Sequence, residues 1–155
     1  MAVLVIIRHA DAGRRDRWQG NDRLRPLGKK GRRQAEALAR TLADVDLRRI
    51  LSSPYLRCVQ TVEPLAEGRG LPVATTEDLA EGAGLTRVLR LFKELTGTPS
   101  ALCTHGDVMA ELGDFLIERG LVQPDGFRNE KGGAWLLQEK NGELTSARYL
   151  PPREA

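Results

Sequence analysis

VLVIIRHADAG, residues 3–13, is the stretch that decides the fold of this chain. An unbroken apolar, largely β-branched run ends abruptly at Arg8-His9-Ala10, the pattern of a strand covered on both faces. SALCTHG, residues 100–106, has the same design and ends in His105 followed by a glycine. The chain has just two histidines, and each directly follows such a strand.

Between and beyond these strands the pattern alternates. Residues 11–28 read as a long polar loop, and a helix fits residues 29–43, with Ala35, Leu38, Ala39 and Leu42 on one face. RRILSS gives a short strand, and Pro54 is placed to start the next helix, which Pro64 should bend or divide. LPVATT gives a third strand and EDLAEGAG a loop. A helix over residues 85–96 follows from the spacing of Val88, Leu91, Phe92 and Leu95. DVMAELGDFLIERG carries a stripe of Met109, Leu112 and Leu116, and AWLLQEK-NG-ELTSARYL reads as a hairpin around a type I′ turn at Asn141-Gly142. The implied fold is α/β in three layers, a mainly parallel central sheet flanked by helices, with a C-terminal β-hairpin. Ligands in such sheets bind beyond the carboxyl ends of the strands.

The totals agree with one domain. A chain of 155 residues buries roughly two thirds of its unfolded surface; residues 1–150 are expected to form it and residues 151–155 a flexible tail. With 41% apolar and 29% charged residues, the composition is that of a soluble globular protein. The opening apolar run is too short for a membrane span and lacks a signal-peptide pattern, which points to a cytoplasmic protein without membrane partners. Cys58 and Cys103 are not spaced as a pair and are expected to be buried free thiols. The net charge of +3 hides an asymmetry, because residues 1–57 hold 14 Lys/Arg against 6 Asp/Glu. That basic half suits phosphates, although most of its charges read as solvated helix faces.

Both histidine-bearing strand ends open on one sheet edge, so His9 and His105 can converge, and Arg8 and Arg57 can reach the same place. Two imidazoles and two guanidiniums around one point form a pocket for a phosphoryl group, because arginine forks match phosphate oxygens and stay charged. A neutral imidazole is also a competent nucleophile toward phosphorus.

VIIRHADAG, LGKKGRRQAEAL, ILSSPYLRCVQTVEPL and CTHGDV, in this order, resemble the histidine phosphatase superfamily over nearly the whole chain. The short length and D-x-x-R-P-L at Asp22 to Leu27 look like its SixA-type phosphohistidine phosphatases. The loop RWQGNDRLRPL and RNEKGGAWLL look still more like the phosphatase domain fused behind a Nudix domain in mycobacterial MutT-like proteins. The resemblance implies that His9 is the phosphorylated nucleophile, that Arg8, Arg57 and His105 bind the phosphoryl oxygens, and that Glu81 is the acid that protonates the leaving group. Asp78, Glu77 and Asp107 stay open as alternatives to Glu81. Ala10 replaces the usual glycine and is expected to narrow the space beside His9. Arg25 and Lys131 are candidate secondary phosphate contacts.

The implied activity is metal-independent phosphate hydrolysis through phosphohistidine, with no cofactor. Its substrate is a small phosphorylated molecule, nucleotides included, or a phosphohistidine protein. A phosphoglycerate-type mutase is the alternative enzyme, disfavoured because no long insertion is present to close over a sugar phosphate. The rival class is a phosphate- or nucleic-acid-binding module without turnover, which would not need the nucleophile; nucleic acid is accordingly not the expected partner. Zinc is not expected either, because no chelating pair is spaced for it. The loop from Arg14 to Arg25, with Trp18, reads equally as an exposed loop or as a lid, and Trp135 and Tyr149 read as packing residues.

Overall fold

Strand β1 (Ala2–Arg8) leads into helix α1 (Lys29–Thr41), β2 (Arg49–Ser52), α2 (Leu56–Arg69), β3 (Val73–Thr75), α3 (Leu85–Glu94), β4 (Ser100–Thr104) and α4 (Gly106–Glu118), and β5 (Ala134–Lys140) with β6 (Glu143–Leu150) closes the chain. This is a computed structural model, which describes residues 2–154. The sheet order is β3-β2-β4-β1-β5-β6. The first four strands pair in parallel, and β5 runs antiparallel to both β1 and β6.

The apolar run of β1 explains the layers. Its alternate residues serve different cores. Leu4 and Ile6 pack with Val88, Leu91, Phe92, Met109, Leu112 and Leu116 of α3 and α4. Val5 and Ile7 pack with Leu38 and Leu42 and with Val62 and Leu65 of α2 on the opposite face. Each fully buried side chain of this size contributes about 1.5–3 kcal/mol, so the sheet is held between two helical layers.

Adjacent strands β1 and β4 send their following helices to opposite faces, which opens a crevice beyond their carboxyl ends. The register there is fixed by pairing of Arg8 with Thr104. One residue later the His9 N–H still donates to the Thr104 carbonyl at 3.0 Å. His9 and His105 therefore leave the sheet side by side.

Several local expectations change. The polar loop after β1 contains 3-10 turns at Arg15–Arg17 and Asp22–Leu24, and another occupies Glu77–Leu79. Helix α1 ends at Thr41, short of residue 43. Helix α2 starts two residues after Pro54, with Tyr55 as its N-cap, and continues undivided through Pro64. The hairpin turn has φ of 55° at Asn141 and 85° at Gly142, as a type I′ turn requires. Glu154, beyond β6, pairs with Arg33 at 3.2 Å, and the end of the expected tail, Ala155, lies outside the described residues. Among the described residues no helix is long and apolar enough to cross a membrane.

Candidate active site

His9 is 6% exposed, and its Nδ1 lies 2.8 Å from the Ala10 carbonyl oxygen. A carbonyl only accepts, so Nδ1 carries the ring proton and Nε2 keeps its lone pair. Burial pushes the His9 pKa down to about 3, with the Ala10 carbonyl pulling it partly back and His105, Arg57 and Arg8 lowering it further. The ring is thus neutral and held in one orientation at ordinary pH, with the Nε2 lone pair available. Its backbone is clamped as well: the Ala10 N–H donates to Thr61 Oγ1 at 2.9 Å, and that hydroxyl donates to the Arg57 carbonyl. The Ala10 methyl is fully buried in a small cluster with Ala12, Leu27 and Ala35.

His105 stands edge-on to His9, with ring centroids 5.4 Å apart. Its Nε2 is 2.9 Å from Ser53 Oγ and 3.5 Å from Cys58 Sγ. Arg8 Nη1 donates to the Asn129 carbonyl at 2.6 Å, and a Cβ on Gly106 would lie 2.8 Å from the Arg8 guanidinium carbon. Any larger residue at the start of α4 would displace the end of the Arg8 side chain from this position. Arg57 is fully buried and donates to the Asp22 carbonyl at 2.9 Å and to Asp22 Oδ2 at 3.1 Å; its Nη2 is 3.7 Å from Glu81 Oε1.

Four buried side-chain polar atoms lack a hydrogen-bond partner among the described residues: Arg8 Nε, Arg57 Nε, His105 Nδ1 and Asn129 Oδ1. All four belong to this sheet edge. Unpaired buried polar groups cost about 1–3 kcal/mol each, and their collection at one place marks a site prepared for a polar ligand. A cleft of about 310 Å³ opens there, lined by Arg8, His9, Arg15, Arg25, Glu81, Asp107, Asn129 and Lys131.

The sequence candidates separate on this geometry. Glu81 and Asp107 line the cleft, whereas Glu77 is paired with Arg23 and Asp78 with Arg87. Glu81 Oε1 accepts from Arg15 Nη2 at 2.5 Å, and Asp107 Oδ2 accepts from the Gly82 N–H at 2.8 Å. Lys131 and Arg25 both border the cleft. Arg25 is also a structural tie, because it donates to the Ala12 carbonyl and to Asp22 Oδ1. Cys58 and Cys103 are buried free thiols, and Trp135 is buried, stacked on Phe127. Among the described residues no group of three or more His, Cys, Asp or Glu is arranged to hold a metal.

Other participants escaped the sequence reading. Asp22 lies within 3.6 Å of Arg15, Arg25 and Arg57, and its pKa is held down by these guanidiniums against the opposing effect of burial. Gln34 Oε1 accepts from the Asp11 N–H, and Gln60 Oε1 from the Leu27 N–H, which fixes both ends of the loop. The only signal for Asp22 was the D-x-x-R-P-L pattern, and nothing local shows that its carboxylate serves three arginines.

The model of the histidine phosphatase superfamily (branch 1) matches residues 4–87. The 8-oxo-(d)GTP phosphatase of Mycolicibacterium smegmatis is 38% identical over 157 residues, covering 97% of this chain and 48% of that protein. The chain thus spans about half the length of that curated relative. A structure assigned to the phosphohistidine phosphatase SixA of Agrobacterium tumefaciens superposes with a TM-score of 0.75 at 25% identity, covering 97% of this chain and 98% of the other. The protein histidine phosphatase SixA complexed with tungstate gives a TM-score of 0.72 at 22% identity, over 98% and 96% of the two chains. The family model covers more than half of the chain, and this chain belongs to the histidine phosphatase superfamily.

Proposed function

We propose that the protein is a metal-independent phosphatase that works through a phosphohistidine on His9 Nε2. The observation that carries this reading is the free Nε2 lone pair of a buried, neutral His9, set among unpaired nitrogens of Arg8, Arg57 and His105. In the first step Nε2 attacks phosphorus, the bond to the leaving oxygen breaks, and that oxygen takes a proton from the Glu81 carboxyl. In the second, water attacks phosphorus and gives its proton to the Glu81 carboxylate. The P–N bond breaks, which releases phosphate and restores neutral His9. Arg8, Arg57 and His105 hold the three transferring oxygens and meet the charge that develops on them. In this scheme Arg57 exchanges part of its hold on Asp22 for the substrate.

Nucleotides are the leading substrates. The alignment with an 8-oxo-(d)GTP phosphatase along 97% of this chain supports them, although half of that protein lies outside the alignment. A phosphohistidine protein is the second reading, supported by the SixA-assigned relative at 25% identity. The test is release of inorganic phosphate, in excess EDTA, from GTP, GDP, an alkyl phosphate and a phosphohistidine protein. Rapid quenching should trap an acid-labile, alkali-stable phosphoryl adduct, and His9→Ala should lose adduct and turnover while its melting behaviour stays cooperative. Turnover by His9→Ala, or activity abolished by EDTA and restored by a divalent ion, would overturn the scheme.

A further inference from the structure

The polar loop contributes one feature that phosphate transfer does not use. Trp18 is 37% exposed, yet its indole is fixed: Nε1 donates to the Asn21 carbonyl at 3.0 Å and its backbone N–H closes the turn on Arg15. Its ring borders a groove of about 250 Å³ with Pro26, Leu27 and Arg17. The groove adjoins the catalytic cleft, because Gly13 and Arg25 line both. Gly13 has no side chain to obstruct the passage, and Arg17 makes no ion pair among the described residues.

We infer that this groove is a nucleobase subsite, in which the base of a nucleotide stacks on Trp18 while its phosphates run past Gly13 and Arg25 to His9. The inference rests on the phosphatase reading and narrows it to nucleotides. An exposed aromatic ring already locked in one orientation binds a flat ring at little entropic cost. The apolar sides of Pro26 and Leu27 suit a base, and Arg17 suits the anionic chain attached to it. Continuity with the cleft is what selects a nucleotide over a free aromatic molecule, because both ends of one ligand are then accommodated.

Two measurements test it, with GTP and tripolyphosphate as probes. Tripolyphosphate offers the same anhydride bonds without a base. Trp18→Ala should raise KM for GTP roughly 5- to 150-fold, the loss of one base–aromatic stack, and Trp18→Phe should restore most of it, while KM for tripolyphosphate moves far less. GTP should also quench the fluorescence of Trp18 in a His9→Ala background, where tripolyphosphate does not. Trp18→Phe then reports the buried Trp135 alone, and the quenching should disappear. Quenching without any phosphate release would uphold the subsite and refute the phosphatase reading. Equal KM changes for GTP and tripolyphosphate, a defect confined to a phosphohistidine protein, or GTP binding without quenching would overturn the subsite.

Discussion

At the scale of single residues, His9 combines two properties that rarely coincide: a histidine that is almost fully buried and a ring nitrogen left free. The second depends on the first, since burial suppresses the imidazolium that would occupy the lone pair. This has a measurable cost. In the unfolded chain His9 takes up a proton near its ordinary value of 6.5, whereas in the fold it does so only near 3. Between those values the unfolded state holds more protons, so the wild type loses stability as pH falls through this window, and the loss is absent above about pH 7. His9→Asn cannot titrate. Its melting temperature relative to wild type should therefore rise as pH is lowered from 8 to 5, and a difference that stays flat with pH would show that the folded protein accepts the proton. The two histidines were legible because each terminates an apolar strand. Asp22, Arg15 and Thr61 were not, because their partners lie up to 66 residues away in sequence.

Among the elements, the junction of β4 with α4 does the most for the site. The sequence marked the strand by its apolar run and the helix by its stripe, and both lie where the periodicity placed them. It could not show why residue 106 is a glycine. The reason is tertiary: Arg8, delivered by the neighbouring strand, passes where a Cβ would stand, 2.8 Å from its guanidinium carbon. Helix starts set by a cap and not by periodicity were misplaced for a related cause, as at Pro54, where Tyr55 takes the cap. Gly106→Ala tests this junction. A helical glycine replaced by alanine ordinarily stabilises by roughly 0.5–1 kcal/mol. Here the melting temperature should change little, while kcat/KM falls by roughly 100-fold, the usual scale when a positioning group moves by about 1 Å. Full activity in the variant would mean that Arg8 can shift without consequence and that its position is not part of the catalysis.

For the molecule as a whole, part of the charge asymmetry visible in the sequence is gathered at the cleft. The cleft draws Arg8, Arg15 and Arg25 from the basic first 57 residues and Lys131 from the remainder, against the carboxylates of Glu81 and Asp107. The composition indicated a basic half suited to phosphate. Only the tertiary contacts reveal how much of that charge is internally neutralised, since Arg15, Arg25 and Arg57 share Asp22. What is left over should act mainly on encounter and binding, where exposed charges are screened within about 10 Å at 0.1 M salt and about 3 Å at 1 M. Buried Arg57 is shielded from salt, so the transfer step should be nearly indifferent to it. KM for tripolyphosphate should accordingly climb between 50 mM and 500 mM NaCl, KM for the less charged glycerol phosphate should climb less, and kcat should hold for both. A kcat that falls as steeply as KM rises would show that salt reaches the transferring phosphoryl group, and charge neutralisation by buried Arg57 would then be wrong. If instead nucleic acid bound with strong salt dependence while neither phosphate was turned over, the basic half would be a binding surface and the neutral His9 would have no reaction to serve.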